Sequence, residues 1–441
     1  MNLLSNIFFA LLLIIGFGYF TINVKKLIRN IKLGKDINRS DNSSERWKNM
    51  AMVALGQSKM VKRPLAAFLH IIVYVGFVII NIELLEIIID GLFGTHRVFA
   101  FMGGFYDFLI GSFEVLALLV LIAVVIFWTR RNIVKLSRFA SSDLNGKPRN
   151  DANYILYFEV VLMSLFLLMN AADFHLQNLT EVFGHYEKAG SFPISQFVAP
   201  LFDGMSNEAV YMLERTFWWL HIIGILIFLN YLYYSKHLHI LLAFPNTYFA
   251  DLNAKGKLDN LESVTNEVKL MMDPNADPYA APAEDAVPSK FGASDVQDLN
   301  WVQLLNAYTC TECGRCTSAC PANQTGKKLS PRKIMMDTRD RLEEVGRNID
   351  KNKGVFIPDN ISLLNDYITA EELWACTSCN ACVEECPVNI SPLSIIIDMR
   401  RYLVMEKSAA PQSLNAMMTN IQNNGAPWQY NQMDRLNWKD E

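Results

Sequence analysis

Five apolar runs, at roughly 3–24, 66–90, 112–129, 153–172 and 211–235, constrain this chain more than any other feature. Each is close to the ~20 residues a helix needs to cross the hydrocarbon core of a bilayer. A backbone in lipid has to satisfy its own hydrogen bonds, so runs of this kind are read as helices. The first run is read as a retained helix and not as a cleaved leader. Lys25 and Lys26 follow its apolar stretch instead of preceding it, and no small-residue cleavage site is evident. The rest of the chain is polar. Hydrophobic residues make up 51% of the whole and charged residues 19%, too apolar for a soluble protein and too charged for a pure membrane bundle. A two-part protein follows, one part in the bilayer and one in water. A net charge of −4 excludes nucleic-acid binding driven by bulk positive charge.

The loops between the runs give an orientation. Segment 25–63 carries eleven Lys and Arg, and segment 130–149 carries six. The alternate loops hold only Arg97, Lys188 and, at the start of the fifth run, Arg215. By the positive-inside rule the N-terminus lies outside and everything after the fifth helix is cytoplasmic. The expected location is a bacterial or archaeal cytoplasmic membrane, crossed several times. Residues 1–245 would form the membrane domain. Residues 246–293 form a linker that ends in a Pro/Ala/Asp-rich stretch from 273, residues 294–406 a compact cytoplasmic domain, and 407–441 a polar tail.

All eight cysteines fall in that cytoplasmic domain. A disulfide framework would not be confined so tightly, so metal ligation leads. Cys310-x2-Cys313-x2-Cys316-x3-Cys320-Pro321 is followed by Cys376-x2-Cys379-x2-Cys382-x3-Cys386-Pro387. This is the bacterial two-cluster ferredoxin run, written twice. In that run the fourth cysteine ligates the other cluster. One [4Fe–4S] cluster is therefore assigned to Cys310, Cys313, Cys316 and Cys386, and the second to Cys376, Cys379, Cys382 and Cys320. Two zinc sites are the bland alternative, but a doubled Cys-Pro run of four thiols is rarely a zinc pattern. The 55 residues between the motifs exceed what a minimal ferredoxin needs, and 330–349 and 361–374 read as helical. The domain is expected to be an α-helical dicluster ferredoxin.

The apolar half carries histidines with a pattern of their own. His221 and His239 are 18 residues apart, which on one continuous fifth helix is five turns. Both would project from one face, about 27 Å apart along the axis. Ligands so placed suit two stacked b-type haems in a four-helix bundle. His70 would pair with His239 at the inner level and His175 with His221 at the outer level. One or two haems b are expected, and the fold class is all-α, a five-helix haem-binding bundle plus the ferredoxin domain. Interfacial or hydrogen-bonded structural histidines are the alternative. His237 falls on a different face from His221, and His96 and His185 read as solvated loop residues. Glu83, Glu86 and Asp90 share a face of the second helix near its outer end. They read either as a proton-handling group for a quinone or as a wetted helix end.

These motifs resemble the heterodisulfide reductase family, together with the electron-transfer-flavoprotein:quinone oxidoreductases that fuse a cytochrome b domain to a dicluster ferredoxin. The five-helix part resembles the gamma subunit of respiratory nitrate reductase. The resemblance rests on FLHIIVYVGFVI around His70, the His221/His239 spacing, and DLNWVQLLNAYTCTECGRCTSACPA. It departs at Ile80, where the gamma-subunit pattern has a second histidine ten residues after the first. Fused relatives also continue past a tail like NNGAPWQYNQMDRLNW into a cysteine-rich catalytic domain. The resemblance thus implies a quinone-linked oxidoreductase subunit whose soluble partner, cysteine-rich or flavin-carrying, is a separate chain. No dinucleotide fingerprint, P-loop or nucleophile elbow is visible, so flavin, nucleotide or acyl chemistry is not expected on this chain. The alternative function is a non-catalytic iron–sulfur redox sensor or a membrane anchor for a soluble redox complex.

Overall fold

The computed structural model describes residues 3–179, 186–274 and 290–440. Among the described residues the chain is helical, and its only β pairing is two isolated bridges, Lys35 with Asn300 and Leu364 with Ile368. Helix α1 (Leu3–Ile31) is followed by the short α2 (Ser43–Met50), then α3 (Pro64–Phe93), α4 (Gly104–Asn132), α5 (Lys147–Gln177) and α6 (Asn207–Tyr231). Five stretches are long and apolar enough to cross a membrane: α1, α3, α4, α5, and α6 together with the turn that carries it to Tyr234. All five coincide with the apolar runs, but each begins or ends up to eight residues outside them. The extensions are helical turns that contain polar or charged residues, such as Lys25 and Lys26 in α1 and Asp107 in α4. Pro64 at the first turn of α3 and the left-handed Gly94 just past its end mark that helix. The Ser206 hydroxyl, accepting from the Ala209 amide, caps α6.

The most extensive helix contact in the apolar half is between α5 and α6. Gly224 makes it possible, since a Cβ there would stand 2.8 Å from Leu162. Apolar side chains from α1 and α3–α6, including Phe9, Phe113, Phe166 and Ile222, join the cluster domain in one continuous core.

The expected unbroken fifth helix is not observed. Extended Ser235 (φ −116°, ψ 147°) stops the helical path, a 3₁₀ turn covers Lys236–Leu238, and a new helix, α7 (His239–Tyr248), begins at His239. The Asp151 carboxylate receives the Tyr231 hydroxyl at 2.6 Å and the Lys236 amide at 3.2 Å, satisfying backbone released at the break. Five turns of continuous helix therefore do not separate His221 from His239.

Beyond α7 lie α8 (Glu262–Met272) and then the cysteine-bearing domain. That domain comprises α9 (Trp301–Thr309), α10 (Arg315–Ala319), α11 (Pro321–Gln324), α12 (Pro331–Lys351), α13 (Ala370–Trp374), α14 (Ala381–Glu385) and α15 (Pro392–Arg401). Reciprocal capping boxes, Asn300 with Gln303 and Thr369 with Glu372, start α9 and α13. Helix α12 matches the expected helix at 330–349. The 361–374 segment does not form one helix, because Leu364 is extended and Asn365 has φ +79°. Most of the Pro/Ala/Asp linker lies outside the described residues. In the tail, α16 (Gln412–Asn424) leads to Trp428 and Trp438, both well exposed and not packed on the cluster domain.

Candidate iron–sulfur and histidine sites

The two cysteine runs fold into the same local shape. In the first, Glu312 (φ +55°) and Gly314 (φ +71°) are left-handed; in the second, Ser378 (φ +56°) and Asn380 (φ +60°) occupy the equivalent positions. Left-handed residues at this spacing turn successive amides inward, the nest geometry suited to sulfur anions. The Ser378 amide donates to Cys376 Sγ at 3.4 Å and the Ile390 amide to Cys386 Sγ at 3.3 Å. Gly314 is required twice over, by its backbone angle and because a Cβ would stand 2.6 Å from the Arg332 guanidinium.

All eight thiols are free of disulfides. Cys310, Cys313, Cys316, Cys382 and Cys386 all line one cavity. Cys376 and Cys382 share an electrostatic neighbourhood with Cys320 and Cys379. Among the described residues no three donors close on a single-ion point. The sulfurs are spread around a space, as the corners of a cubane require. Burial pushes the Cys310 and Cys382 thiols up to about 12 and Cys386 up to about 11. Thiolates here are costly unless a cation offsets them, so the donor set fits an iron cluster.

The first thiol set lies against the membrane half. Arg315, between Cys313 and Cys316, donates to the Lys59 carbonyl at 3.3 Å, and Lys59 Nζ reaches the Cys386 carbonyl at 3.3 Å. Residues 59–63 lead directly into α3 and His70. In the second set Cys379 is exposed. Arg400 crosses behind that set, donating to the Leu373 carbonyl at 2.6 Å and stacking over Trp374 at 4.9 Å.

The halves are clamped together by ion pairs. Arg332 is almost fully buried, and donates to Asp143 at 3.0 Å and to the Arg138 carbonyl at 2.8 Å. Glu312 is bonded to both Lys236 and Arg339, and Lys62 and Arg63 pair with Glu384 and Glu385. Asn30 of α1 donates to the Tyr308 hydroxyl at 3.0 Å.

Three histidines gather where α3 meets the α6–α7 break. The His237 and His239 rings are 5.3 Å apart, and His70 and His239 both bear on the His237 ring. Burial, followed by those two neighbours, pushes His237 down to about 3. His239 Nδ1 lies 3.1 Å from the Lys236 carbonyl, which leaves Nε2 for a metal. His70 Nδ1 is buried without a hydrogen-bond partner. These features fit axial ligation of one haem. The helical-wheel angle that puts His237 on a different face from His221 presumes an unbroken helix, and the break at Ser235 removes it.

His175 and His221 are not brought together. His221 Nδ1 is 3.1 Å from the Leu162 carbonyl, whereas His175 sits 13 residues further along the same α5, about 20 Å away by helical rise. His175 faces Asp203 at 3.7 Å and the Phe202 ring instead. His96 is not solvated: it lies 3.7 Å from Asp173 and edge-on to Tyr186, covered by the folded-back outer loop. His185 lies outside the described residues.

The three acids of α3 are buried, so the wetted-end reading does not hold. Asp90 accepts from the Arg97 amide at 2.7 Å and the Val98 amide at 3.2 Å. Glu86 accepts from the Phe99 amide at 2.9 Å and the Tyr106 hydroxyl at 2.8 Å. Both organise the outer turn. Glu83 Oε2 alone of these carboxylate oxygens is buried with no partner.

Residues 306–390 match the 4Fe-4S dicluster domain family. This chain carries that domain. It is 30% identical to "Probable iron-sulfur-binding oxidoreductase FadF" of Bacillus subtilis over 98% of its own length and 61% of the relative's. It is 28% identical to "EtfAB:quinone oxidoreductase" of Syntrophomonas wolfei over 92% of its length and 55% of the relative's. A third relative, "Probable membrane-anchored ferredoxin" of Chromohalobacter salexigens, is 32% identical over 35% of this chain and 25% of its own length. The chain thus spans less than two thirds of the length of each of these relatives. No solved structure matches it significantly.

Proposed function

We propose that the chain is a membrane electron-transfer subunit linking a cytoplasmic redox partner to the quinone pool, with the N-terminus outside and the cluster domain in the cytoplasm. The observation that carries this reading is the position of the Cys310 set, pressed on the Lys59–Arg63 segment that leads into His70. Bound at these residues, two [4Fe–4S] clusters and a haem b would supply one-electron transfer. Cys310, Cys313, Cys316 and Cys386 would hold the cluster next to the membrane. Cys376, Cys379, Cys382 and Cys320 would hold the one nearer the surface, where exposed Cys379 faces a partner. His70 and His239 would hold the haem, with His237 as the alternative axial group. Lys59, Arg138 and Arg315 surround the first thiol set and offset its negative charge.

The relatives' names support this reading, since one is an oxidoreductase that binds iron–sulfur and another acts between a flavoprotein and quinone. A reduced-minus-oxidised spectrum of purified protein, with iron and haem quantified, tests the proposal. About eight irons and one haem per chain are expected. A sensor or plain anchor would show clusters without a haem band or any response to quinol.

A further inference from the structure

A cavity of about 90 Å³ lies among α3, α4, α5 and α6, level with His221. Its wall is mostly apolar, from residues such as Val73, Leu84, Ile87 and Phe166. Three groups of another kind face it: His221, Glu83 and Glu159. The bond from His221 Nδ1 to the Leu162 carbonyl fixes the imidazole, leaving Nε2 as an acceptor. Glu83 is 4% exposed and its Oε2 has no partner. Glu159 makes no hydrogen bond or ion pair among the described residues. Two carboxyls in an apolar wall at membrane depth are costly, and their retention there calls for a ligand.

The surroundings narrow the ligand's chemistry. Phe77 and Asn81 line the cavity and are exposed on the lipid-facing side of α3, so the opening faces the bilayer. A lipid-soluble molecule can enter there. No Lys or Arg lines the cavity, which disfavours a phosphate headgroup. A bis-histidine haem of the kind expected from the sequence would need a second imidazole, and His221 is the only histidine lining the cavity. What remains is a small, flat, neutral ring with oxygens able to meet a carboxyl and an imidazole.

Glu83 has a second neighbour. It also lines a polar pocket at the outer end of the bundle, together with His96, Arg97, Asp173 and Glu214. With Ile87 it forms the wall shared by the two spaces.

We propose that the cavity beside His221 binds a quinone headgroup, and that Glu83 exchanges its protons with the outer polar pocket. This rests on the electron-transfer reading and deepens it. Reduction of the ring takes two electrons from the chain's iron–sulfur donors and two protons from the Glu83 and Glu159 carboxyls. Both carbonyls become hydroxyls; Glu83 recovers its proton from the outer pocket, which it lines, and Glu159 recovers its own by way of Glu83 across the cavity they share.

The test uses the full chain in lipid nanodiscs with a photoreactive azidoquinone, mapping the cross-links by mass spectrometry. Iron content and the haem spectrum are recorded on the same samples. Cross-links are expected in peptides containing residues 73–87 and 159–166, competed by unlabelled quinone. Glu159→Gln and His221→Ala should each weaken labelling about five- to tenfold, the loss of one hydrogen bond to a buried group, with iron and haem unchanged. Glu83→Gln, nearly isosteric, should bind quinone yet slow its proton-coupled reduction about tenfold or more. Labelling confined to other segments, or a haem lost in His221→Ala, overturns the site and leaves the electron-transfer reading standing. Failure of that reading registers separately, as missing cluster signals in the unsubstituted chain.

Discussion

Cys320 lies ten residues after Cys310 but shares its electrostatic surroundings with Cys376 and Cys382. Cys320→Ser should therefore bleach the cluster of the second run and spare the first. EPR of the reduced protein reads this directly, and loss of the first cluster alone would refute the crossed assignment. Sequence spacing singles out these eight residues, because a cubane's corners can be met by turns only a few residues long. The histidines were harder, since their reading depended on a helix staying intact across Ser235. Once the chain breaks there, His237 joins His239 and His70. We expect His70→Ala to abolish the haem band, and His239→Ala to abolish it or, if His237 substitutes, to shift it. His221→Ala should leave it intact. Glu159 escaped notice for a different reason: one acid among apolar neighbours barely lowers the hydropathy of its run, and no spacing marks it.

At the scale of elements, the contact between loop 137–146 and α12 is one of the attachments between the two halves. Burial pushes the Asp143 carboxyl up, but bonds from Arg332, Ser141 and Ser330 outweigh it and hold it below its ordinary 3.8. A depressed carboxyl contributes stability that is complete above the ordinary value and is lost as pH falls through the folded one. Docking should thus hold from neutral pH to about 5 and loosen below about 4, as amide exchange in α12 would report. Asp143→Ala leaves a buried guanidinium unpaired and should cost about 3–5 kcal/mol, seen as faster proteolysis between the halves. The apolar runs disclosed all five long helices, yet not this clamp. Arg332 and Asp143 are 189 residues apart, and the basic loops read as orientation signals alone. In the fold two of those cations, Lys62 and Arg63, are partners for Glu384 and Glu385, and Lys236 is a partner for Glu312.

For the whole molecule, the exposed Trp428 and Trp438 leave the tail free of the cluster domain. Removing residues 407–441 should keep the full iron content while weakening capture of the soluble partner in detergent. Equal capture with and without the tail would place docking elsewhere, around exposed Cys379. The two-part division of the chain was plain from its sequence, because lipid and water select opposite compositions. The shared core joining the parts was not, since it depends on surfaces meeting at a distance along the chain. Cys386 completes the cavity begun by Cys310, 76 residues earlier. On the crossed assignment, then, neither metal centre would close during synthesis until the second run has left the ribosome. By that stage all five long helices have been made, and the half-built cage would wait as bare thiols. Iron would then reach both centres late, and an early stop in translation would yield the long helices without either cluster.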